Sequence, residues 1–417
     1  MTLTRSRTDT PTAARRQMLA GGAVLSAAMV GAGVGNYVVN AAAARLLGPA
    51  EFGDASIVIS ILLVLAAAAG CLQLVAARRV ARDEGCRSAM IDQLERMAWF
   101  GGSALGLVLV LGAPAIAGVL TLSSALPLVV VGLGVPWYCA QAIERGVLQG
   151  RMAFGILAST FLIETLVRCA ATIVLLAAGV GVVGVGIGLS TSFVVTYGMA
   201  RFGNRRVTTT VVSGAQERVG RELASMSLML LAQMIATNAD LFVVKALADG
   251  VDAGQYAAVA VLGRAVFFCS WSIVTALFPF SAAAASDREV HLVRRGGLVV
   301  LGLGGVVATG TAAVFGGLVL SLAFGASYRE VASLLAPYVA ATSFFTMANF
   351  VASTQAARGD LRAARLVLAG AIVQTVAVIG VGSNIVAAAW IQLPVMAATV
   401  LVVAWHRGSP KGPVSRR

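Results

Sequence analysis

RFGNRRVTTTVVSGAQERVGR, residues 201–221, is the longest polar interval in an otherwise apolar chain, and it lies at the middle of the 417 residues. It is basic, contains Gly and Ser, and separates two sets of hydrophobic runs. Crossing the hydrocarbon of a bilayer takes about 20 mostly apolar residues in a helix. Runs of that kind before the interval are 18–46, 52–80, 96–120, 126–149, 153–179 and 181–202, and after it 222–247, 254–282, 295–321, 331–357, 362–382 and 384–405. The pattern predicts an all-α polytopic membrane protein of about twelve transmembrane helices, arranged as two six-helix lobes over 18–202 and 222–405 with a linker at 203–221. Residues 1–17 and 406–417 read as basic cytoplasmic tails.

Composition supports this and excludes a water-soluble domain, since 59% of residues are hydrophobic, 12% are charged and mean hydropathy is +0.89. Glycine is abundant at 46 residues while aromatics make up only 6%, as expected where helix backbones approach closely in lipid. The net charge of +13 does not form one clustered face that would suit nucleic acid. The basic residues fall between apolar runs instead, which marks topology. With a cytoplasmic N-terminus, 26 of the 31 Lys and Arg residues fall in inside segments. Only Arg45, Lys245 and Arg329 fall outside, and Arg168 and Arg264 lie within spans. Both ends are then cytoplasmic, and the protein belongs in the inner membrane.

Several apparent signals carry less. Arg15 and Arg16 precede an apolar run that extends past the length of an export-signal core, so they read as part of the basic tail. The five cysteines (Cys71, Cys86, Cys139, Cys169 and Cys269) are scattered and read as reduced packing residues. Glycines at 31, 33 and 35 sit inside a predicted span with no preceding strand, so helix packing explains them better than a dinucleotide site. His291 and His406 lack ligand-type neighbours, and neither a metal nor a cofactor is expected. No loop is long enough to hold a catalytic domain, so an enzyme is not expected.

Charges inside spans cost about 2.5–3.5 kcal/mol each on insertion scales and usually face a cavity or a partner. Glu164 and Arg168, four residues apart on one face of a helix, are either a self-neutralising pair or part of a cavity wall. Asp240 and Arg264, on consecutive antiparallel spans at similar depth, form a salt bridge or leave the arginine free. A free guanidinium is a planar fork of donors suited to pyrophosphate oxygens, which makes Arg264 the first candidate. Asp240 or Glu164 is the candidate for binding a coupling ion. Asn36, Asn40, Gln73, Gln141, Gln233, Asn238, Asn349, Gln355 and Gln374 either line a polar path or bond helix to helix. Trp137, Tyr138 and Trp271 lie within spans, where they stack on a sugar or fill space. Pro136, Pro279 and Pro337 permit kinks that serve as hinges or static bends.

From Asn40 the sequence continues AAAARLLGPAEFGDASIVIS, and here the chain resembles the start of polysaccharide (O-antigen type) flippases of the multidrug/oligosaccharidyl-lipid/polysaccharide (MOP) exporter superfamily. The matching positions are Asn40, Arg45, Leu47, Gly48, Pro49, Glu51, Phe52 and Gly53. A second resemblance lies at NADLFVVKALADGVDAGQYAAVAVL, where Asp240 precedes the Gly254-Gln255-Tyr256 turn. The two stretches can be laid against each other, as expected of two repeats with the substrate site between them.

The resemblance implies a V-shaped two-lobed transporter that moves a polyprenyl-pyrophosphate-linked oligosaccharide to the outer leaflet by alternating access. It implies membrane lipids and polysaccharide assembly machinery as partners, and no nucleic acid. The candidate substrate contacts are Arg264, Arg168, Asn36, Asn40, Asn238, Gln73 and Trp271. The alternatives are a multidrug or metabolite cation antiporter of the same superfamily and a membrane glycan polymerase or ligase. The last would need a large outer loop with Arg or His.

Overall fold

A computed structural model of the protein describes residues 11–82, 87–206, 219–283, 287–356 and 362–406. The described residues are almost entirely α-helical, as lipid demands: backbone N–H and C=O groups in hydrocarbon must be satisfied within the segment itself. The helices are α1 (Pro11–Arg82), α2 (Arg87–Val119), α3 (Leu126–Gly150), α4 (Phe154–Ala177), α5 (Val182–Arg206), α6 (Val219–Leu247), α7 (Gly250–Ala283), α8 (Asp287–Phe324), α9 (Ala332–Ala356), α10 (Arg362–Gly380) and α11 (Ile385–Trp405), with a short 3₁₀ helix at Ala326–Val331 before α9. Eleven of these segments are long and apolar enough to cross a membrane.

The first helix accounts for two of the twelve predicted spans. Its 72 residues would reach about 108 Å if straight, far more than one crossing needs. The chain breaks at Gly48, where φ is 76° and ψ is 174°, a conformation open to glycine, and Pro49 follows without an N–H to continue the ladder. Packing shows that the two arms run in opposite directions. Gly21, Gly31 and Gly35 of the first arm lie against Phe154, Leu162 and Thr165 of α4, in parallel order. Gly146 and Gly150 of α3 lie against Gln73 and Ala77 of the second arm, so close that a Cβ would come within 2.4 and 2.6 Å of their carbonyl oxygens. Because α3 and α4 are consecutive antiparallel helices, α1 reverses at Gly48.

Helices α1 to α5 pack among themselves, with α3 against α1, α2 and α5, and α4 against α1 and α5. Helices α6 to α11 form a second group, in which α9 touches α7, α8 and α11, and α10 touches α6 and α11. Between the groups, α1 meets α6, α7 and α8. The largest core cluster runs through this junction and includes Phe52, Tyr256, Phe324 and Tyr328, all fully buried. A separate cluster around Met229, Phe267, Phe345 and Met396 belongs to the second group alone.

Two sequence expectations meet different geometry. The helix begins at Pro11, inside the segment expected to be a tail, while residues 1–10 and 407–417 lie outside the described residues. Helix α5 runs on to Arg206 and α6 starts at Val219, so the expected linker is shortened from both sides; residues 207–218 lie outside the described residues.

Candidate functional site

Each group of helices holds a buried ion cluster. In the first, Glu164 of α4 is shared by two arginines. Its Oε1 pairs with Arg168 one turn on, and its Oε2 lies 2.6 Å from Nη2 of Arg145 on α3. Gln141 Nε2 also reaches Oε2, at 3.4 Å. Arg145 donates through Nε to the Thr160 hydroxyl and through Nη2 to its carbonyl, both at 3.0 Å, and lies 4.0 Å over the Phe161 ring. Arg168 Nη1 donates to Asn36 Oδ1 at 2.7 Å, tying α4 to the first arm of α1. The side-chain amide of Asn40 donates back to the Asn36 carbonyl. All three charged residues are at most 6% exposed, and the buried Nε of Arg168 has no hydrogen-bond partner.

The second group is looser. Asp240 of α6 and Arg264 of α7 approach to 3.7 Å between Oδ1 and Nη2, and both are buried. Arg264 Nη1 donates to Asn238 Oδ1 at 3.2 Å, but its Nε and Nη2, and Asp240 Oδ1, make no hydrogen bond. The other carboxylate oxygen, Oδ2, accepts hydroxyls from Tyr256 at 2.9 Å and Tyr338 at 2.8 Å. Arg264 belongs to α7, the helix of the second group that packs against α1 of the first.

A third ion pair joins the groups themselves. Lys245 Nζ at the end of α6 lies 2.7 Å from Asp54 Oδ1 just past the α1 reversal, with both side chains buried. Asp54 Oδ2 accepts the backbone N–H of Ser123 at 2.9 Å and its hydroxyl at 2.6 Å, which fixes the turn between α2 and α3. Thr121 in that turn donates to the Lys245 carbonyl. Arg45 donates to the carbonyls of Leu322 and Ala323 at the end of α8, and the Tyr328 hydroxyl donates to the Ala44 carbonyl. Alongside, Gly254 meets Pro49 so closely that a Cβ would fall 1.6 Å from the Pro49 carbonyl oxygen.

The structure thus gathers Arg168, Glu164, Asn36 and Asn40 in one cluster and Arg264, Asp240 and Asn238 in another. Gln73 stands apart, bonded to Gln149. The remaining polar candidates also bond within the protein: Gln233 to Asn349, Gln374 to Gln392 and Gln355 to the His406 carbonyl. Trp137 packs edge-on against Trp99 and Tyr197, and Tyr138 lies against Phe193, so both are used in packing. Pro136 and Pro337 sit inside α3 and α9. The side chains of Trp271 and Pro279 lie outside the described residues.

Arg145, which falls in an expected inside segment, and Lys245, expected outside, are both buried in ion pairs, so each also has a structural role in packing helices together. Tyr256 and Tyr338 escaped the sequence reading as site residues. The Asp240 and Gly-x-Tyr motif carried the signal for Tyr256, because its two ends meet in a hydrogen bond.

The fold is shared with solved transporters of the MOP superfamily. The inward-facing form of a multidrug resistance MATE family transporter aligns with a TM-score of 0.75 at 14% identity, covering 89% of this chain and 92% of that one. Lipid II flippase MurJ in its inward closed conformation aligns at 0.69 and 12% identity, covering 91% and 86%. An outward-facing MATE transporter aligns at 0.50 and 15% identity, covering 93% of each chain. No curated protein matches the sequence. The chain belongs to the polysaccharide biosynthesis protein family, whose sequence model matches residues 42–333.

Proposed function

We propose that this protein flips a polyprenyl-pyrophosphate-linked oligosaccharide across the cytoplasmic membrane by alternating access, with Arg264 as the first protein contact for the pyrophosphate. The observation that carries this reading is the pair of unpartnered guanidinium nitrogens, Nε and Nη2, on a buried arginine of α7, the second-group helix that packs against α1. A buried donor without a partner is costly unless something satisfies it at some stage of the working cycle. A phosphate oxygen meets that need with a planar, bidentate, charge-assisted geometry. Sugars and pyrophosphate need a polar route across ~30 Å of hydrocarbon, whereas the prenyl chain stays in lipid.

The higher TM-score to inward-facing than to outward-facing MATE supports an inward-facing state. In that state the Asp54 and Lys245 junction closes the outer side, with both chain ends in the cytoplasm. Of the two coupling candidates, Glu164 has both oxygens committed to arginines, while Asp240 keeps Oδ1 available to a proton or cation.

The test is a deletion strain of the source organism. Loss of surface glycan with inward-facing lipid-linked precursor accumulating is the expected outcome, and normal glycan display removes the proposal. Arg264→Ala on a complementing plasmid abolishes export at normal protein level; retained export reduces Arg264 to a structural charge. The likeness to a multidrug transporter favours a second reading as a multidrug or metabolite antiporter. That reading requires the deletion to raise sensitivity to cationic drugs while leaving glycan unchanged.

A further inference from the structure

Asp240 and Arg264 are close enough to attract each other, yet they make no hydrogen bond with each other, and the Tyr338 hydroxyl lies beside the guanidinium as well as on Asp240. The reason lies in what Asp240 does with its other oxygen. Oδ2 receives two hydroxyl hydrogens, from Tyr256 on α7 and Tyr338 on α9. Behind Tyr256 the donors continue in the same sense: Gln392 Nε2 of α11 donates to the Tyr256 oxygen at 2.7 Å, and Gln374 Nε2 of α10 donates to Gln392 Oε1. Each hydrogen in this chain points toward the carboxylate, and each bond polarises the next. Oδ2 of Asp240 is thereby met by a network of neutral groups drawn from four helices.

The tyrosines cannot easily shift to release it. The Tyr338 ring lies on the α7 backbone at Gly263, where a Cβ would fall 2.1 Å from the ring carbon Cδ1, one residue before Arg264. Tyr256 meets Tyr338 nearly edge-on, with centroids 5.9 Å apart, and both are buried. In the first helix group, Glu164 takes its hydrogen bonds from Arg145, Arg168 and Gln141, and there the arginines grip the acid directly.

We infer that Tyr256 and Tyr338 are positioning residues that keep Asp240 from hydrogen-bonding Arg264, so that the guanidinium keeps the Nε and Nη2 donors for an incoming phosphate. Without the hydroxyls, Oδ2 loses both partners, the carboxylate swings across the 3.7 Å gap, and Arg264 is captured by its own counterion. This inference rests on the pyrophosphate reading of Arg264.

The test measures binding of farnesyl pyrophosphate, a soluble short-chain polyprenyl pyrophosphate, to the purified full-length protein in detergent, with thermal unfolding as the control for folding. The Tyr256→Phe/Tyr338→Phe double variant keeps both rings and binds about tenfold more weakly, or ~1.4 kcal/mol. Adding Asp240→Asn to it restores wild-type binding within about twofold, an effect that a merely structural role for the hydroxyls would not produce. Asp240→Asn alone, the gentler change, binds at least as tightly as wild type. Wild-type affinity in the double variant, failure of Asp240→Asn to rescue it, or weakened binding by Asp240→Asn alone each overturns the inference. Arg264→Ala separates the two claims. Unchanged binding there removes the Arg264 site and this inference with it, whereas lost binding there together with normal binding in the tyrosine variant removes only the positioning role.

Discussion

The two buried clusters are built from the same groups and behave differently. Glu164 lies between two arginines and touches both, so the cluster carries a surplus positive charge with nearly every donor spoken for. Asp240 faces one arginine and leaves two of its three nitrogens unbonded. The difference comes from the neutral neighbours, because two tyrosines fill the oxygen of Asp240 that an arginine would otherwise take. On the proposed function, a charge that holds helices together and a charge kept for a ligand are told apart by their hydrogen bonds, and depth alone does not distinguish them.

Breaking the tight cluster has the largest expected effect. Glu164→Ala strands two buried guanidinium groups and costs about 3–5 kcal/mol, read as loss of folded protein from the membrane fraction. Replacing Arg145, Glu164 and Arg168 together by methionine removes the stranded charge and recovers most of that folded protein; failure to recover would mean the cluster does more than hold helices. In the loose cluster, Arg264→Met leaves a carboxylate whose Oδ2 still takes two hydroxyls while Oδ1 stays unbonded, so the loss of stability is smaller, about 2 kcal/mol, while export falls to background. A comparable unfolding loss at Glu164 and Arg264 would erase the distinction between the clusters.

The pair between the helix groups falls in the middle. Asp54→Lys and Lys245→Asp each reduce export severalfold, and the double exchange restores it to within about threefold, measured by surface glycan. The smallest effect belongs to Arg201 on α5. It pairs with Glu95 and Glu144 but is 39% exposed, so Arg201→Ala changes stability by at most about 1 kcal/mol after screening.

The spans were legible because each hydrophobic run must match the membrane thickness, and the reversal was legible because Gly48 followed by Pro49 ends a helix within two residues. The pairing of charges was much less so. Arg145 sits near a predicted helix end and looks like a side marker in a hydropathy reading, but its partner Glu164 lies on the next helix and is found only when α3 and α4 pack. Lys245 looks like an ordinary outside residue because Asp54 is in the other half of the chain. Glu164 with Arg168 could be read from their spacing, and the Asp240 and Arg264 approach from their depths. That Arg264 makes no hydrogen bond to Asp240 could not, since Asp240 is engaged by Tyr338, which reaches it from a helix much later in the sequence.

The carbonyl oxygen of Pro49 occupies the space that a methyl group on Gly254 would need. A single added carbon there acts as a wedge between the two groups of helices: Gly254→Ala pushes the reversal of α1 off the start of α7. On the proposed alternating-access cycle, that wedge tilts the resting population toward the outward-open form and gives a direct view of the state that releases cargo.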